Sequence, residues 1–415
     1  MNLGLLIPEF PTQTHVFFWR EVRALEQLGV NVCILSTKKP RDRCPHPFAI
    51  EAAARTHYLF PPGTSAAREL AIQAKRLAPA ARYLSSIDRH DSGANGISAL
   101  RASALRRARH AVYLAAAGQL LAESRRSRID HVHVHSCADA AHVVALADLL
   151  GGPSFSLHLH GDLPVYGRDH RQKMERALFV AAAAKPMQAQ VVSEVGLPEE
   201  RTCTLIMGVN TEHFTPAPER DGGGPFRLIT IGRLANCKGH KHALRALRRL
   251  RDQDPSADFR YQIVGEGPER GAIEAEIAEL RLADRVELTG SLGEDAIRER
   301  LRQADAFVLS SVGIGEASPV AVMEAMASGV PVICSIIGGT PDMIDDGVDG
   351  LLVRQEDEAG LAEAMRRLRA DGSFRNELGR AARRRAERQF DAKRRAQVLL
   401  DTIDAAKRRS ATPAA

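Results

Sequence analysis

Residues 304–346 read ADAFVLSSVGIGEASPVAVMEAMASGVPVICSIIGGTPDMIDD. The run AFVL at 306–309 is short and wholly apolar, as in a strand buried on both faces. After a loop, Ser318-Pro319 precedes a run of helical character over 320–328. Ser suits a helix N-cap, and Pro suits the first helical position because its missing N–H has no partner there anyway. A second apolar strand, 331–334, begins after Gly329. The order strand–loop–helix–strand points the helix N-terminus at the carboxyl end of a sheet, where open α/β folds bind ligands. Free amides and the positive end of the helix dipole, here at Pro319–Val320, make that place an anion site.

Two carboxylates frame the helix start: Glu316 just before it, and Glu324, which interrupts an otherwise apolar run. As an ordinary pair they read as a loop charge and a solvated helix residue. The glycines at 329 and 338–339 bring further backbone toward the same place. Together the residues resemble the E-x7-E region of the retaining glycosyltransferases of GT-B fold, family 4, whose usual form is EGxPxxxxEAMAxGxPV. Here it reads EASPVAVMEAMASGVPV, with Ala317 where that family has Gly.

The rest of the chain carries further phrases of that resemblance. Residues 10–30, FPTQTHVFFWREVRALEQLGV, are similar to the FPxxSETFxxxEIxxLxxxGH opening of family 4 exopolysaccharide transferases; a glycine-rich first loop is missing. Residues 209–216, VNTEHFTP, resemble the GVDxxxFxP phrase that ends the first domain. A strand at 227–231 leads into GRLANCKGH (232–240), which matches the GRLxxxKG signature. On physical grounds alone, Arg233 and Lys238 beside a helix start oppose its dipole and cost stability unless an anion is bound. Arg can grip two oxygens, whereas Lys acts as a point charge. A strand at 261–264 then runs into Gly265-Glu266-Gly267-Pro268, and RVELTG (285–290) is another strand.

Alternating strands and helices imply a doubly wound parallel sheet in each half. At 415 residues two domains fit better than one. The expected division is 1–216, 217–385 and a final helical segment 386–415 packing back on the first domain, with a flexible hinge over 217–225. The first domain is expected to hold strands at 3–7, 30–35, 129–135, 155–160, 189–193 and 203–207, and two helices within 65–126 joined by a polar turn at 91–96.

Composition is that of a soluble globular protein: 44% hydrophobic and 26% charged. The formal charge of +6 is local. Residues 55–128 hold 13 basic and 4 acidic side chains, while 217–415 hold 32 of each. With aromatics at 5% and no recognition motif, nucleic acid is not expected as the partner. An anionic membrane surface or lipid-linked acceptor fits the basic segment, as does a plain solvated face. The six cysteines show no CxxC pairing. No signal peptide or membrane span is read, which makes the expected location cytoplasmic, peripheral at the inner membrane face if the basic segment binds lipid.

His131, His133 and His135 share one strand face, as do His158 and His160 on the next strand, by the period of two. Five histidines on neighbouring strands suit either a structural role or a metal. Residues 158–162, HLHGD, resemble the family's TAHxxD segment, whose His contacts the donor sugar. That makes His160 the candidate there, with His135 and Asp162 as weaker ones.

The resemblance implies sugar transfer, with retention, from a nucleotide sugar to a glycan or lipid-linked acceptor, in a cleft between two Rossmann-like domains, without metal or cofactor. It makes His160, Glu316, Arg233 and Lys238 the catalytic set. Glu324, Gly232, Ser318, Pro319, Val320, Gly265 and Leu288 become donor-binding positions, with Leu288 near the base. Two alternatives stay open: a nucleotide-sugar epimerase of similar architecture, and a metal-dependent hydrolase built on the strand histidines.

Overall fold

The computed structural model describes all residues except 13–14, 42–43, 45, 88–96, 219–223, 314–315 and 412–415; for 97–101 only the backbone is described. The turn expected at 91–96 and most of the hinge therefore lie outside the described residues. The chain divides into two compact units, Met1–Leu205 with Ala396–Ala415, and Ile206–Arg395.

The first unit is built on seven strands: β1 (Asn2–Leu6), β2 (Asn31–Lys38), β3 (Thr56–Phe60), β4 (His131–Val134), β5 (Ser154–Leu159), β6 (Val180–Ala182) and β7 (Thr202–Thr204). They pair in parallel in the order β3-β2-β1-β4-β5-β6-β7. The second unit has six: β8 (Phe226–Ile231), β9 (Phe259–Val264), β10 (Val286–Gly290), β11 (Ala306–Leu309), β12 (Val332–Ser335) and β13 (Leu351–Val353). Their order is β10-β9-β8-β11-β12-β13, again parallel. Both sheets reverse direction of growth once, between β1 and β4 and between β8 and β11. Loops leaving the carboxyl ends of those two strand pairs diverge and leave a crevice.

Helices cover both faces of such sheets, so central strands are uniformly apolar rather than alternating. Every residue of β11 and β12 is buried, as are Leu3, Leu5 and Leu6 of β1. The helix Val16–Gln27 buries Phe18, Val22 and Leu25 against its sheet. It ends where Gly29 turns left-handed at φ 80°, letting the Val30 amide reach back to Leu25 O at 3.1 Å.

Three expectations are corrected. Residues 189–193 are not a strand: the helix Lys185–Gln190 continues into a π-turn over Val191–Val195. The valines at 191 and 195 are four apart and both buried, so their spacing serves one helical face despite their β-branched side chains. The first helix expected within 65–126 is split into Thr64–Ile72 and Leu77–Ser86. Pro79 is tolerated only in a first helical turn, so a new helix starts just before it. Ile97–Arg126 follows as one helix of 30 residues. Finally, Ser318 does not cap the helix Val320–Ala327; Pro319 takes the cap position, without a side-chain bond, and the Ser318 hydroxyl faces Met343 Sδ at 3.6 Å. The strands at 203–207 and 129–135 are shorter than expected, at Thr202–Thr204 and His131–Val134.

Among the described residues no helix is long and apolar enough to cross a membrane. The basic segment is exposed along much of its length: Arg68, Lys75, Arg82, Arg107 and Arg109 are exposed, and so is Leu105, at 72%.

Candidate active site

In the second unit the loops after β8 and β11 meet. His240, buried at the start of the helix His240–Gln253, donates from Nε2 to Arg233 O at 3.2 Å and ties down the loop 232–239. Ser310 Oγ donates to Gly239 O at 2.9 Å, and the Val312 amide to Cys237 O at 2.8 Å, joining that loop to the segment leaving β11. The contact is so close that a Cβ on Gly239 (φ 61°) would lie 1.9 Å from Ser310 O. Gly338 does the same on the other side: at φ 51°, an added Cβ would lie 1.6 Å from Glu316 O. Only glycine fits such a conformation and approach.

These loops bring Lys238 Nζ onto Glu316 Oε1 in an ion pair. Glu316 is 6% exposed and also accepts from Ser311 Oγ at 3.2 Å. The Lys238 stem runs over Gly232, where an added Cβ would lie 3.8 Å from it in ordinary contact. Arg233, by contrast, is exposed and makes no ion pair among the described residues. Glu324 is not a solvated helix residue; it is 5% exposed on the helix Val320–Ala327, whose first amides point to the same end of the sheet. Gly265 donates to Gly290 O at 2.9 Å, and Gly232 to Val264 O at 2.9 Å, so β8, β9 and β10 end level with one another. Leu288 sits in β10 opposite Ile263, half-buried against the unit's core.

In the first unit, β4 and β5 run in register with His133 beside Ser156, which carries His135, His158 and His160 to the carboxyl end of the switch point. His131 bonds Ser154 Oγ at 2.9 Å and Ser156 Oγ at 2.8 Å. His133 Nδ1 lies 2.7 Å from Ser156 Oγ, and His158 Nε2 donates to Leu205 O at 2.8 Å. One ring nitrogen from each of His133, His135 and His158 lies within 4.8 Å of the others, a spacing loose for a metal yet within reach of one. His160 stands half-buried at the end of β5, its amide donating to Tyr166 Oη at 2.6 Å and its Nε2 3.1 Å from His135 Nδ1. Asp162 opens the short turn Leu163–Tyr166.

Two groups escaped sequence reasoning. Glu21, on the helix Val16–Gln27, reaches His135 Nε2 at 3.4 Å; its signal was the Glu within the quoted opening phrase. Arg385 is buried against Asp345 and Asp349 and had no local signal, because its partners lie some forty residues away.

Residues 214–385 match the family Glycosyl transferases group 1. Over 378 residues the chain is 27% identical to WcaL of Escherichia coli K12, named as a colanic acid biosynthesis glycosyltransferase, covering 88% of this chain and 90% of that one. It is 33% identical over 201 residues to the amylovoran biosynthesis glycosyltransferase AmsK of Erwinia amylovora, about half of each. Residues 214–385 are a group 1 glycosyl transferase domain. The protein is thereby a glycosyltransferase, and its two parallel-sheet units are those of the GT-B fold. A glycosyltransferase of Rickettsia africae superposes over 98% of both chains with a TM-score of 0.71 at 16% identity. HepE of Anabaena, solved with UDP, does so over 98% of this chain and all of the other at 0.70 and 16%.

The first unit of the transferase carries a pH signature. Burial pushes His131 to about 3 and His158 to about 4, and burial likewise brings His15 to about 4. In the unfolded chain each takes a proton near 6.5. Between pH 6.5 and 4 the unfolded state therefore binds more protons, and stability falls as pH falls. Thermal unfolding from pH 7.5 to 4 should show a steadily lower Tm below pH 6.5. A Tm independent of pH across that window would mean these histidines protonate in place.

Proposed function

We propose that this transferase moves a sugar from a nucleoside-diphosphate sugar to a glycan or lipid-linked acceptor, with retention of anomeric configuration and without a metal ion. The observation that carries the reading is the Lys238–Glu316 pair, held at the β8/β11 switch point beside the first turn of Val320–Ala327. Breaking the anomeric bond expels a nucleoside diphosphate, so negative charge develops on phosphate oxygens. Lys238, the exposed Arg233 and the first free amides of the helix Val320–Ala327 form a preorganised set of donors for it, supplying what a metal ion would elsewhere. The diphosphate competes with Glu316 for Lys238, which frees the carboxylate for the sugar as charge builds at the anomeric carbon. Glu324 accepts from the ribose, and Gly265 and Leu288 border the base. His160 takes the transferred sugar, on the strength of its segment's resemblance, and the first domain, 1–216, receives the acceptor. The UDP bound by HepE supports a nucleoside diphosphate as the leaving group.

The test is thermal unfolding with UDP, GDP, ADP and their common sugars, each with and without EDTA. A ligand at 100 times its Kd adds about 2.7 kcal/mol. Stabilisation by one nucleotide, indifferent to EDTA, is the expected result. A Tm unmoved by any nucleotide, but lowered by EDTA, would shift the function to the histidine cluster of β4 and β5.

A further inference from the structure

Behind His160 stand two groups, Glu21 and His135, that no part of the proposed reaction yet uses. Glu21 Oε1 and His135 Nε2 are 3.4 Å apart; both atoms are buried, and neither has a hydrogen-bond partner among the described residues. Buried polar atoms without partners are costly, so the cheapest arrangement is for these two to satisfy each other. On its far side, His135 Nδ1 lies 3.1 Å from His160 Nε2. The line Glu21–His135–His160 is thus continuous, and it runs from the inner face of the helix Val16–Gln27 to the carboxyl end of β5.

With a single proton on the His135 ring, the three groups have one consistent arrangement of protons. Burial raises the Glu21 carboxyl, but the imidazoles of His135 and His158 together more than offset that and hold it below its usual range. Glu21 is therefore a carboxylate, which only accepts. With a single proton on its ring, His135 must then carry it on Nε2, leaving Nδ1 bare. A bare Nδ1 requires His160 to donate from its own Nε2, because one hydrogen atom occupies each bond. His160 is left with an unprotonated Nδ1, and that is the ring nitrogen free to meet a ligand. Which nitrogen of a histidine is protonated is set by the bond the other nitrogen makes; here the setting is relayed through a second imidazole.

We propose that Glu21, acting through His135, fixes His160 as the Nε2–H tautomer, so that His160 offers the transferred sugar a hydrogen-bond acceptor rather than a donor. Glu21 and His135 are positioning residues. The inference rests on the reading of His160 as the residue that meets the sugar. The surroundings suit it. His133 and His158 face His135 with ring centroids 5.0 and 5.6 Å away; both are pushed down by burial and stay neutral, as does His15 near the helix start. Phe17 and Phe18 flank the His160 ring at 5.9 and 5.4 Å, and the Tyr166 hydroxyl pins its main chain.

The deciding measurement is the two-bond 1H–15N spectrum of the full chain labelled with 15N-histidine at pH 7.5, with His160 assigned by comparison with His160→Asn. The native spectrum is expected to show His160 protonated at Nε2 and bare at Nδ1. In Glu21→Gln, whose amide has the carboxylate's shape but donates as well as accepts, a mixture of tautomers is expected. With it, kcat should fall about tenfold, the worth of one hydrogen bond, while KM for the donor stays within about twofold. His135→Asn should cost the same, and combining the two should add nothing further. A His160 protonated at Nδ1 in the native chain, a tautomer unmoved in Glu21→Gln, or fully additive losses would overturn the proposal. If His160→Asn left kcat intact, the sugar contact would fall, and the native spectrum would still report whether Glu21 governs the tautomer.

Discussion

Lys238→Ala is expected to lower kcat/KM by about two to three orders of magnitude, the scale on which removing one preorganised donor to a developing anion acts. The substitution has two consequences that must be separated. It takes a cation from the departing diphosphate, and it leaves Glu316, only 6% exposed, as a buried carboxylate supported by Ser311 Oγ alone among the described residues. Breaking one side of a buried pair costs about 3–5 kcal/mol, whereas removing both charges is far milder. The double variant Lys238→Met with Glu316→Gln should therefore regain most of the lost Tm and none of the lost turnover. Kinetics with the stabilising nucleotide sugar, alongside thermal unfolding of both variants, checks this. A single variant within about threefold of native kcat/KM would remove Lys238 from the mechanism.

The second large effect is on stability and lies away from the nucleotide loops. Arg385 of the helix Gly372–Arg385 is 7% exposed; its Nη1 donates to Asp345 Oδ2 at 2.6 Å and Asp349 Oδ2 at 2.9 Å, and its Nη2 to Asp342 O at 3.0 Å. Asp349, 4% exposed, in turn accepts from the Asp345 amide at 2.8 Å. Arg385→Met removes the only cation paired with Asp349 among the described residues. The expected loss is about 3–5 kcal/mol, or roughly 10 °C in the unfolding of a unit this size. Arg385→Met with Asp349→Asn should recover much of it, since no buried charge is then stranded. Native-like Tm in the single variant would show that segment 342–349 relaxes and hydrates Asp349.

Much of the second unit was open to reading in linear order. Residues 306–309 form β11 with the expected bounds, and the neighbouring strands fall within a residue or two, because strands covered on both faces must be continuous apolar runs. The first unit was harder. Residues 189–193 carry β-branched side chains yet lie in a helix, since burial of Val191 and Val195 outweighs a propensity difference of a few tenths of a kcal/mol. Ser318 has the right chemistry for a cap and yet faces Met343, because where the chain enters a helix depends on the loop before it.

The site divides along the same physical line. Residue type and short spacing are properties of the chain, so a base-rich loop before a helix, two carboxylates around another helix start, and histidines two apart on a strand all announce themselves in linear order. Pairing is a property of space. Lys238 and Glu316 are 78 residues apart and were read as separate charges, one for phosphate and one for sugar; the crossing of β8 and β11 makes them a pair. Glu21 looked like one helix carboxylate among several until β1 and β4 lay side by side and brought it to His135. Sequence spacing carries information over a few residues, where the backbone's own geometry sets distances. Beyond that, the order of strands in the sheet sets which side chains share a charge or a proton.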